Sequence, residues 1–280
     1  MTKTRIYWPV GITREMPGRT GSGEFIGDAV MQYVRRIAAP DTEITLGWMD
    51  RTTSLLSSNF LGMLNDVQVV TDILQAQREG FDAAVIGCHW DPGLYAAREA
   101  ASIPVAGPLE AATMIAQTLG RRFAVLTVHD GYIPMIERSL RLYGCDGRAI
   151  ARRPVRKFGM TYENLVAALS GHDDSFLKEF TRIAMACIDD GADVIIAGGQ
   201  LFGPVFQRYG YTTVPGTGVP VVEVASCGLK MAETLVTLRR TIGLVKSEHP
   251  CAPFRTPPAT ALAEACKTFG FEGAAASPQG

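Results

Sequence analysis

Cysteine, histidine and aspartate side chains occur together at the end of an apolar run, in the segment Cys88-His89-Trp90-Asp91. A thiolate is a strong nucleophile and proton acceptor, and a neighbouring imidazole can tune the pKa of the thiol or protonate a leaving group. The preceding run, Ala84-Val85-Ile86-Gly87, is typical of a buried strand, and open α/β sheets bind their ligands at the ends of strands. Cys88 is therefore the first candidate for a catalytic residue, with His89 as its partner.

A similar run in the second half of the chain ends without a thiol. There, Val194-Ile195-Ile196-Ala197 leads into Gly198-Gly199-Gln200. Each run is followed by a second apolar segment and then by a helix-like segment, so the two halves look like copies of one strand–loop–strand–helix plan. A cleft between two such halves places Cys88 on one wall and Gly199 opposite. We therefore expect one thiol where the internal symmetry suggests two.

The rest of the chain alternates strand-like and helix-like segments, which is typical of parallel sheets covered on both faces. Strands are predicted at 5–10, 43–48, 83–87, 123–128, 149–155, 194–197 and 219–222, and helices at 25–37, 66–77, 133–143, 175–189, 229–241 and 259–267. We place a first α/β domain at residues 1–108 plus 214–245, a second at 109–213, and a C-terminal extension at 246–280. The proline-containing extension is expected to be mostly irregular and loosely attached, with one short helical piece.

The charge balance excludes several classes of partner. With 27 basic and 28 acidic residues among 280, the net charge is −1, so the chain has no excess of positive charge with which to bind nucleic acid or an anionic membrane. No apolar run reaches the roughly 18 residues that span a bilayer. The chain begins Met1-Thr2-Lys3-Thr4-Arg5 and leads directly into a strand instead of a signal-peptide core, so we expect a cytoplasmic protein.

The cysteines give little support for a metal site. The six lie far apart and form no Cys-x-x-Cys pair, and only four histidines are present, so no metal is predicted. Cys187 lies inside an apolar helical stretch and is interpreted as a small, buried hydrophobic residue. Cys227 lies just after a strand near the expected cleft and is an alternative source of the missing thiol. Its position at the start of a helix favours the interpretation that Cys227 is a small packed residue and not a catalytic thiol.

Several motifs resemble the aspartate/glutamate/hydantoin racemase superfamily, most closely its hydantoin racemase branch. The segment Cys88-His89-Trp90-Asp91-Pro92-Gly93-Leu94, followed by Arg98-Glu99, is similar to that branch's first-cysteine motif. Ile103-Pro104-Val105-Ala106-Gly107 and Gly218-Val219-Pro220-Val221-Val222 also follow the family order. The resemblance covers roughly residues 1 to 240, and the Asp-Pro-Gly-Leu block is its most specific part.

The resemblance implies two similar α/β domains with four-stranded parallel sheets, related by a pseudo-two-fold axis, and an active site in the cleft between them. It also implies a small-molecule substrate, no metal or organic cofactor, and a homo-oligomer. In the family's racemases, a cysteine from each domain faces one side of the acidic carbon, and inversion needs an acid and a base on opposite faces. Cys88 fills the first position, whereas Gly199 stands where the second cysteine should be.

Other departures from the family pattern concern substrate binding. By position, His129 replaces a tyrosine that helps hold a carboxylate in relatives that bind dicarboxylates, and it is a third candidate for catalysis. Thr13 and Arg14, in a long loop after the first strand, are candidates to anchor a carboxylate or ureido group. Asp91 is expected to fix its loop through backbone hydrogen bonds more readily than to abstract protons. The full set of residues predicted to contact the substrate is Thr13, Arg14, Trp90, Asp91, Tyr132, Gly198, Gly199 and Gln200.

A single thiol favours an enzyme in which Cys88 attacks a small cyclic amide, imide or carboxylate substrate, and the resemblance implies that it needs no cofactor. We expect hydrolytic ring opening, with backbone N–H groups near Cys88 and Gly199 holding the oxyanion and a water above Gly199. The alternatives are a hydantoin or amino-acid racemase, a cis–trans isomerase or a decarboxylase, each with an unusual second acid–base group. A non-catalytic small-molecule binding protein is a further alternative.

Overall fold

Two four-stranded parallel sheets organise the part of the chain that the computed structural model describes, which is residues 3–11, 13–14, 22–53 and 56–271. The first sheet has the order β2-β1-β3-β4, and the second has the matching order β6-β5-β7-β8. The predicted fold class is confirmed. The strands are β1 Thr4–Val10, β2 Thr42–Trp48, β3 Ala83–Val85, β4 Val105–Ala106, β5 Phe123–Thr127, β6 Val155–Lys157, β7 Val194–Ala197 and β8 Val221–Glu223.

Helices cover both sheets, as the continuously apolar strands require, because strands such as β5 and β7 are buried along their whole length. The helices are α1 Ser22–Ile37, α2 Asn59–Arg78, α3 Leu94–Ala100, α4 Pro108–Leu119, α5 Tyr132–Leu142, α6 Tyr162–Ser170, α7 Ser175–Asp189, α8 Phe202–Tyr209, α9 Val224–Ile242 and α10 Ala259–Thr268. Late in the chain, α9 returns to the first sheet, where Leu229 and Val236 pack with Ile6 and Trp8. Among the helices of the described residues, none is both long and apolar enough to cross a membrane.

Two predicted elements differ from the structure for local reasons. The helix expected at 66–77 begins earlier, at Asn59, because the Ser58 side chain accepts a hydrogen bond from the Leu61 N–H and caps the helix there. The strand expected at 149–155 is instead β6 at Val155–Lys157. Arg153 has a φ of 48°, and Pro154 has no N–H to donate to a ladder, so the pairing with β5 before them is limited to an isolated bridge between Ala149 and Phe123.

The C-terminal extension is attached more firmly than the sequence suggests. The Lys246 Nζ donates hydrogen bonds to the carbonyls of Arg98 and Glu99 at the end of α3, at 2.7 and 2.8 Å. The ring of Phe254 packs edge-on against Tyr95 on the same helix, and Cys266 of α10 is buried in the core beside the first sheet. The expectation of a loose attachment is therefore wrong for these residues, although the helical piece lies where it was predicted.

Candidate active site

The loop that carries Cys88 is held against the end of the first sheet by close backbone packing. Gly87 forms an isolated parallel bridge with Val10, and a Cβ at Gly87 would lie 1.5 Å from the Pro9 carbonyl oxygen. Only glycine permits that approach. It brings Cys88 beside the end of β1, where a Cβ at Gly11 would lie 3.9 Å from the Cβ of Cys88.

A cavity of about 230 Å³ lies at the ends of the strands and is lined by both halves of the chain. Its polar groups are few. Cys88 and His89 contribute them from the first half, and Tyr132 and Gln200 from the second. The remaining wall is mostly apolar and includes Trp8, Val10, Ile26, Val30, Leu56, Val128, Met160, Leu165, Leu201 and Phe202. A small ligand with an apolar portion fits such a wall.

Burial raises the pKa of the Cys88 thiol, because it disfavours the charged thiolate. Hydrogen bonds from the backbone N–H groups of His89 and Trp90 act in the opposite direction, and the carboxylates of Asp91 and Asp66 add to the rise. The burial term dominates, so the resting group is a thiol. This corrects the expectation of a thiolate activated by a neighbouring histidine.

The His89 imidazole is neutral, since burial lowers its pKa to about 3. Its Nε2 lies 3.2 Å from the Thr127 Oγ1 at the end of β5, and its side chain is buried, with 7% exposed. A Cβ at Gly198 would lie 3.6 Å from the His89 Cδ2. His89 therefore reaches across to the second sheet, and at neutral pH it has no imidazolium proton to give to a leaving group.

Aromatic rings fix the position of Tyr132 at the start of α5. The Tyr132 ring stacks on Trp90 with centroids 4.4 Å apart, and it meets the His89 ring edge-on at 5.3 Å. Burial and the nearby Cys88 sulfur raise the pKa of the Tyr132 hydroxyl to about 12. The phenol is therefore protonated at neutral pH and lines the same cavity as the thiol.

The space beside Gly199 is filled by the ring of Phe202. A Cβ at Gly199 would lie 2.6 to 2.8 Å from three Phe202 ring atoms. That ring is 2% exposed and packs against those of Phe158 and Phe176, so it cannot retreat freely into the core. The direction in which a side chain at Gly199 would point is therefore closed, although Gly199 itself lines the cavity.

One buried acceptor in the cavity wall lacks a partner. The Gln200 Nε2 donates to the Ile86 carbonyl at 3.4 Å, which ties the second half of the chain to the strand end that leads to Cys88. The Gln200 Oε1 is buried and accepts no hydrogen bond from the described residues.

Asp91 fastens the active-site loop from behind instead of facing the cavity. Its carboxylate accepts hydrogen bonds from the backbone N–H groups of Leu109 and Glu110 at 3.0 and 2.9 Å, and from the Tyr143 hydroxyl at 2.7 Å. Burial nevertheless raises the pKa of this carboxyl to about 6. Asp91 therefore connects the Cys88 loop to the first turn of α4. The backbone of Asp91 itself has a positive φ, of 56°.

Replacing Asp91 by alanine is expected to lower the free energy of unfolding by about 3 kcal/mol, because two backbone N–H groups and a hydroxyl lose their acceptor. Urea denaturation measures the change. Asp91→Asn keeps one carbonyl acceptor and should lie between alanine and the unmodified protein. Equal stability of the alanine variant and the unmodified protein would show that these hydrogen bonds do not hold the loop.

Several candidate residues lie outside the cavity wall as far as the described residues show. His129 is exposed, and its Nδ1 accepts from the Gly131 N–H at 3.0 Å. Arg14 is exposed with its guanidinium 5.7 Å from the Trp48 ring centroid, and neither it nor Thr13 lines the cavity. Cys227 is buried in the core at the start of α9. Most of the predicted binding loop, residues 12 and 15–21, lies outside the described residues.

The structure assembles Cys88, His89, Trp90, Tyr132, Gly199 and Gln200 around one cavity. Sequence reasoning missed Phe202, whose only sequence signal is its position three residues after Gly199. It also missed apolar wall residues such as Leu56 and Met160, which are distant in sequence and carry no motif. Among the described residues, no group of three or more histidine, cysteine, aspartate or glutamate side chains is placed to hold a metal ion.

Comparisons with known proteins agree with this architecture. A family model described as Asp/Glu/Hydantoin racemase matches residues 20–232. The hydantoin racemase of Rhizobium meliloti is 35% identical over 168 residues, which are 60% of this chain and 66% of that protein. This chain therefore spans just under two thirds of that relative.

Two solved structures of allantoin racemases are similar over nearly the whole chain. The enzyme from Klebsiella pneumoniae is 25% identical with a TM-score of 0.73, and the match covers 91% of this chain and 94% of that one. The enzyme from Pseudomonas fluorescens is 27% identical with a TM-score of 0.71, and the match covers 91% and 97%. The relatives named here are racemases.

Proposed function

We propose that this chain, which belongs to the Asp/Glu/hydantoin racemase family, is a racemase of small five-membered cyclic ureides in which Cys88 exchanges the proton at ring carbon C5. The observation that carries the proposal is the position of the Cys88 thiol, at a strand end in the wall of a small cavity shared by both sheets. The family match and the racemase relatives support the same reaction class. We prefer racemisation to hydrolytic ring opening, because the similar proteins named above are racemases.

The chemistry of the site suits proton transfer next to a carbonyl. Removal of the C5 proton leaves an enolate whose charge spreads onto the adjacent ring carbonyl oxygen. Proton transfer by a positioned side chain accelerates such a step by about 10² to 10⁴-fold. A partly buried thiol with a raised pKa is a weak acid, and its conjugate thiolate is a correspondingly strong base. Cys88 can therefore take the C5 proton once it is deprotonated and return it to the enolate.

The cavity wall favours an apolar substituent on the ring. The wall is mostly aliphatic and aromatic, and burial of a polar group there without a partner costs free energy. A 5-alkyl or 5-benzyl hydantoin therefore fits better than allantoin, whose substituent is a polar ureido group. This substrate class agrees with the hydantoin relative more than with the allantoin racemase structures.

The test follows the optical rotation of enantiopure 5-isobutylhydantoin and of enantiopure allantoin after addition of the protein. We expect rapid loss of rotation with the hydantoin and at least about tenfold slower loss with allantoin, since one unpaired polar group costs over 1 kcal/mol. Unchanged rotation with both, together with saturable ligand binding, would support a binding protein. Faster racemisation of allantoin than of the hydantoin would show that the cavity does not prefer an apolar substituent. The proposed racemase activity itself would still stand.

Turnover should rise with pH, because the base form of Cys88 must be generated. Burial holds the pKa of the thiol above its usual range, so the thiolate fraction grows about tenfold per pH unit below that pKa. Nearby Asp66 and Asp91 reinforce the shift, Tyr132 stays protonated, and neutral His89 adds no charge. Measurement of kcat/KM from pH 6 to 9.5, corrected for spontaneous racemisation, checks this. A plateau already reached at pH 6 would show a preformed thiolate.

A further inference from the structure

A racemase needs proton-transfer groups on both faces of the reacting carbon, and this chain has lost one of the expected two. The position of the second thiol is Gly199, and the Phe202 ring occupies the space that a side chain there would need. The need for a second proton-transfer group rests on the proposed function. Another group must serve the second face if the protein inverts the C5 centre.

The described residues that line the cavity include three titratable side chains, Cys88, His89 and Tyr132. His89 comes from the same loop as Cys88, directly after it in sequence, and its Nε2 already pairs with Thr127. Tyr132 comes from the opposite half of the chain, at the start of α5. Tyr132 is therefore the titratable side chain that the second half of the chain contributes to the described part of the cavity wall.

Tyr132 belongs to the same wall as Gly199. It follows β5, and β5 pairs in parallel with β7, the strand that leads to Gly199. The Gly198 N–H donates to the Leu126 carbonyl of β5 at 2.8 Å, which fixes the ends of the two strands side by side. The start of α5 and Gly199 therefore lie at neighbouring strand ends of one sheet.

The hydroxyl of Tyr132 is available for chemistry, because it makes no hydrogen bond to any described residue. The other tyrosines near the active-site loop differ in this respect. The Tyr143 hydroxyl donates to Asp91 at 2.7 Å, and the Tyr95 hydroxyl donates to the Leu142 carbonyl at 3.3 Å. The stack on Trp90 holds the Tyr132 ring while leaving its hydroxyl without a partner.

We propose that Tyr132 is the second proton-transfer group of this enzyme and replaces the missing cysteine. For one enantiomer, the Cys88 thiolate takes the C5 proton, and the electron pair of the broken C–H bond passes into the ring enolate. The Tyr132 hydroxyl then gives its proton to the other face of C5, which leaves a Cys88 thiol and a Tyr132 phenolate. The opposite enantiomer reacts by the reverse sequence, and exchange with solvent resets the two groups.

The electrostatics of the pair agree with this cycle. Negative charge on Cys88 raises the pKa of the Tyr132 hydroxyl, so the two groups hold one negative charge between them in preference to two. Burial raises the pKa of both groups, which makes each a strong base in its charged form. One shared negative charge is what a two-base racemase requires.

The experiment measures C5 deuterium uptake and optical rotation separately for each enantiomer of 5-isobutylhydantoin in deuterated water, with the unmodified protein and with Tyr132→Phe. Phenylalanine keeps the ring that stacks on Trp90 and removes only the hydroxyl. We expect racemisation to fall by at least about 100-fold. One enantiomer should still take up deuterium with retention through Cys88, at a rate within about tenfold of the unmodified protein, while the other becomes inert.

Tyr95→Phe is the matched control, because it removes a tyrosine hydroxyl outside the cavity, and it should leave both rates unchanged. Racemisation by Tyr132→Phe at the unmodified rate would overturn the proposal. His89→Asn could instead be the variant that exchanges the C5 proton only with retention, while Tyr132→Phe still inverts C5. That result would make His89, and not Tyr132, the second proton-transfer group. Absence of exchange in the unmodified protein would overturn the proposed function itself, and with it this inference.

Discussion

Cys88→Ser is expected to lower turnover of a 5-substituted hydantoin by at least about 10³-fold while the protein stays folded. A hydroxyl is a far weaker acid than a thiol, so serine has essentially no anion available to take the C5 proton. The exchange of sulfur for oxygen changes the side-chain volume little, and the free energy of unfolding should therefore change by no more than about 1 kcal/mol. Steady-state kinetics and urea denaturation measure the two quantities.

Cys145→Ser provides the matched control for this substitution. Cys145 is buried in the same core cluster as Trp90, but its sulfur donates to the Leu140 carbonyl and does not line the cavity. Turnover by this variant should stay near that of the unmodified protein. Cys88→Ser with most of its activity retained would exclude a catalytic thiol.

Gly199→Cys introduces the thiol that the sequence resemblance predicts at this position, yet it is expected to damage the protein. The new Cβ would lie within 2.6 to 2.8 Å of the Phe202 ring, which is closer than side-chain carbons approach. Overpacking of this kind costs about 1 to 3 kcal/mol of the free energy of unfolding. The core blocks movement of the ring inward, so the ring must turn into the cavity, and turnover should fall by at least about tenfold.

Gly199→Ala separates the steric effect from the thiol, because alanine adds the same Cβ without sulfur. Both variants should lose stability and turnover to a similar degree in thermal melts and kinetic assays. Adding Phe202→Ala to Gly199→Cys should recover part of the turnover, since the ring no longer competes for the space. A stable and fully active Gly199→Cys variant would show that Phe202 does not close this position.

The architecture and the active-site loop are readable from local sequence patterns. Apolar runs that end at small residues, such as the run before Cys88, mark buried parallel strands, and these strands are where they were expected. The Asp-Pro-Gly-Leu block predicts a fixed loop, and Asp91 fixes it through backbone hydrogen bonds. In both cases neighbouring residues determine the outcome, so the sequence contains the necessary information.

The chemistry of the site depends on contacts between residues that are distant in sequence. The pKa of Cys88 rises because of burial by both halves of the chain, and no local motif reports that burial. By position His129 replaces a tyrosine of the family pattern, but it is exposed, whereas Tyr132, three residues later, lines the cavity and stacks on Trp90. The packing of Phe202 against Gly199 is likewise visible only in three dimensions.

The proposed racemase moves the C5 proton of an intact ring, and proton NMR in deuterated water can follow that proton. Enantiopure 5-isobutylhydantoin is incubated with the protein while the C5–H signal and the signals of the ring-opened carbamoyl amino acid are followed together. We predict that the C5–H signal disappears for both enantiomers and that no ring-opened product forms. A persistent C5–H signal, or the appearance of the ring-opened product, would contradict the account.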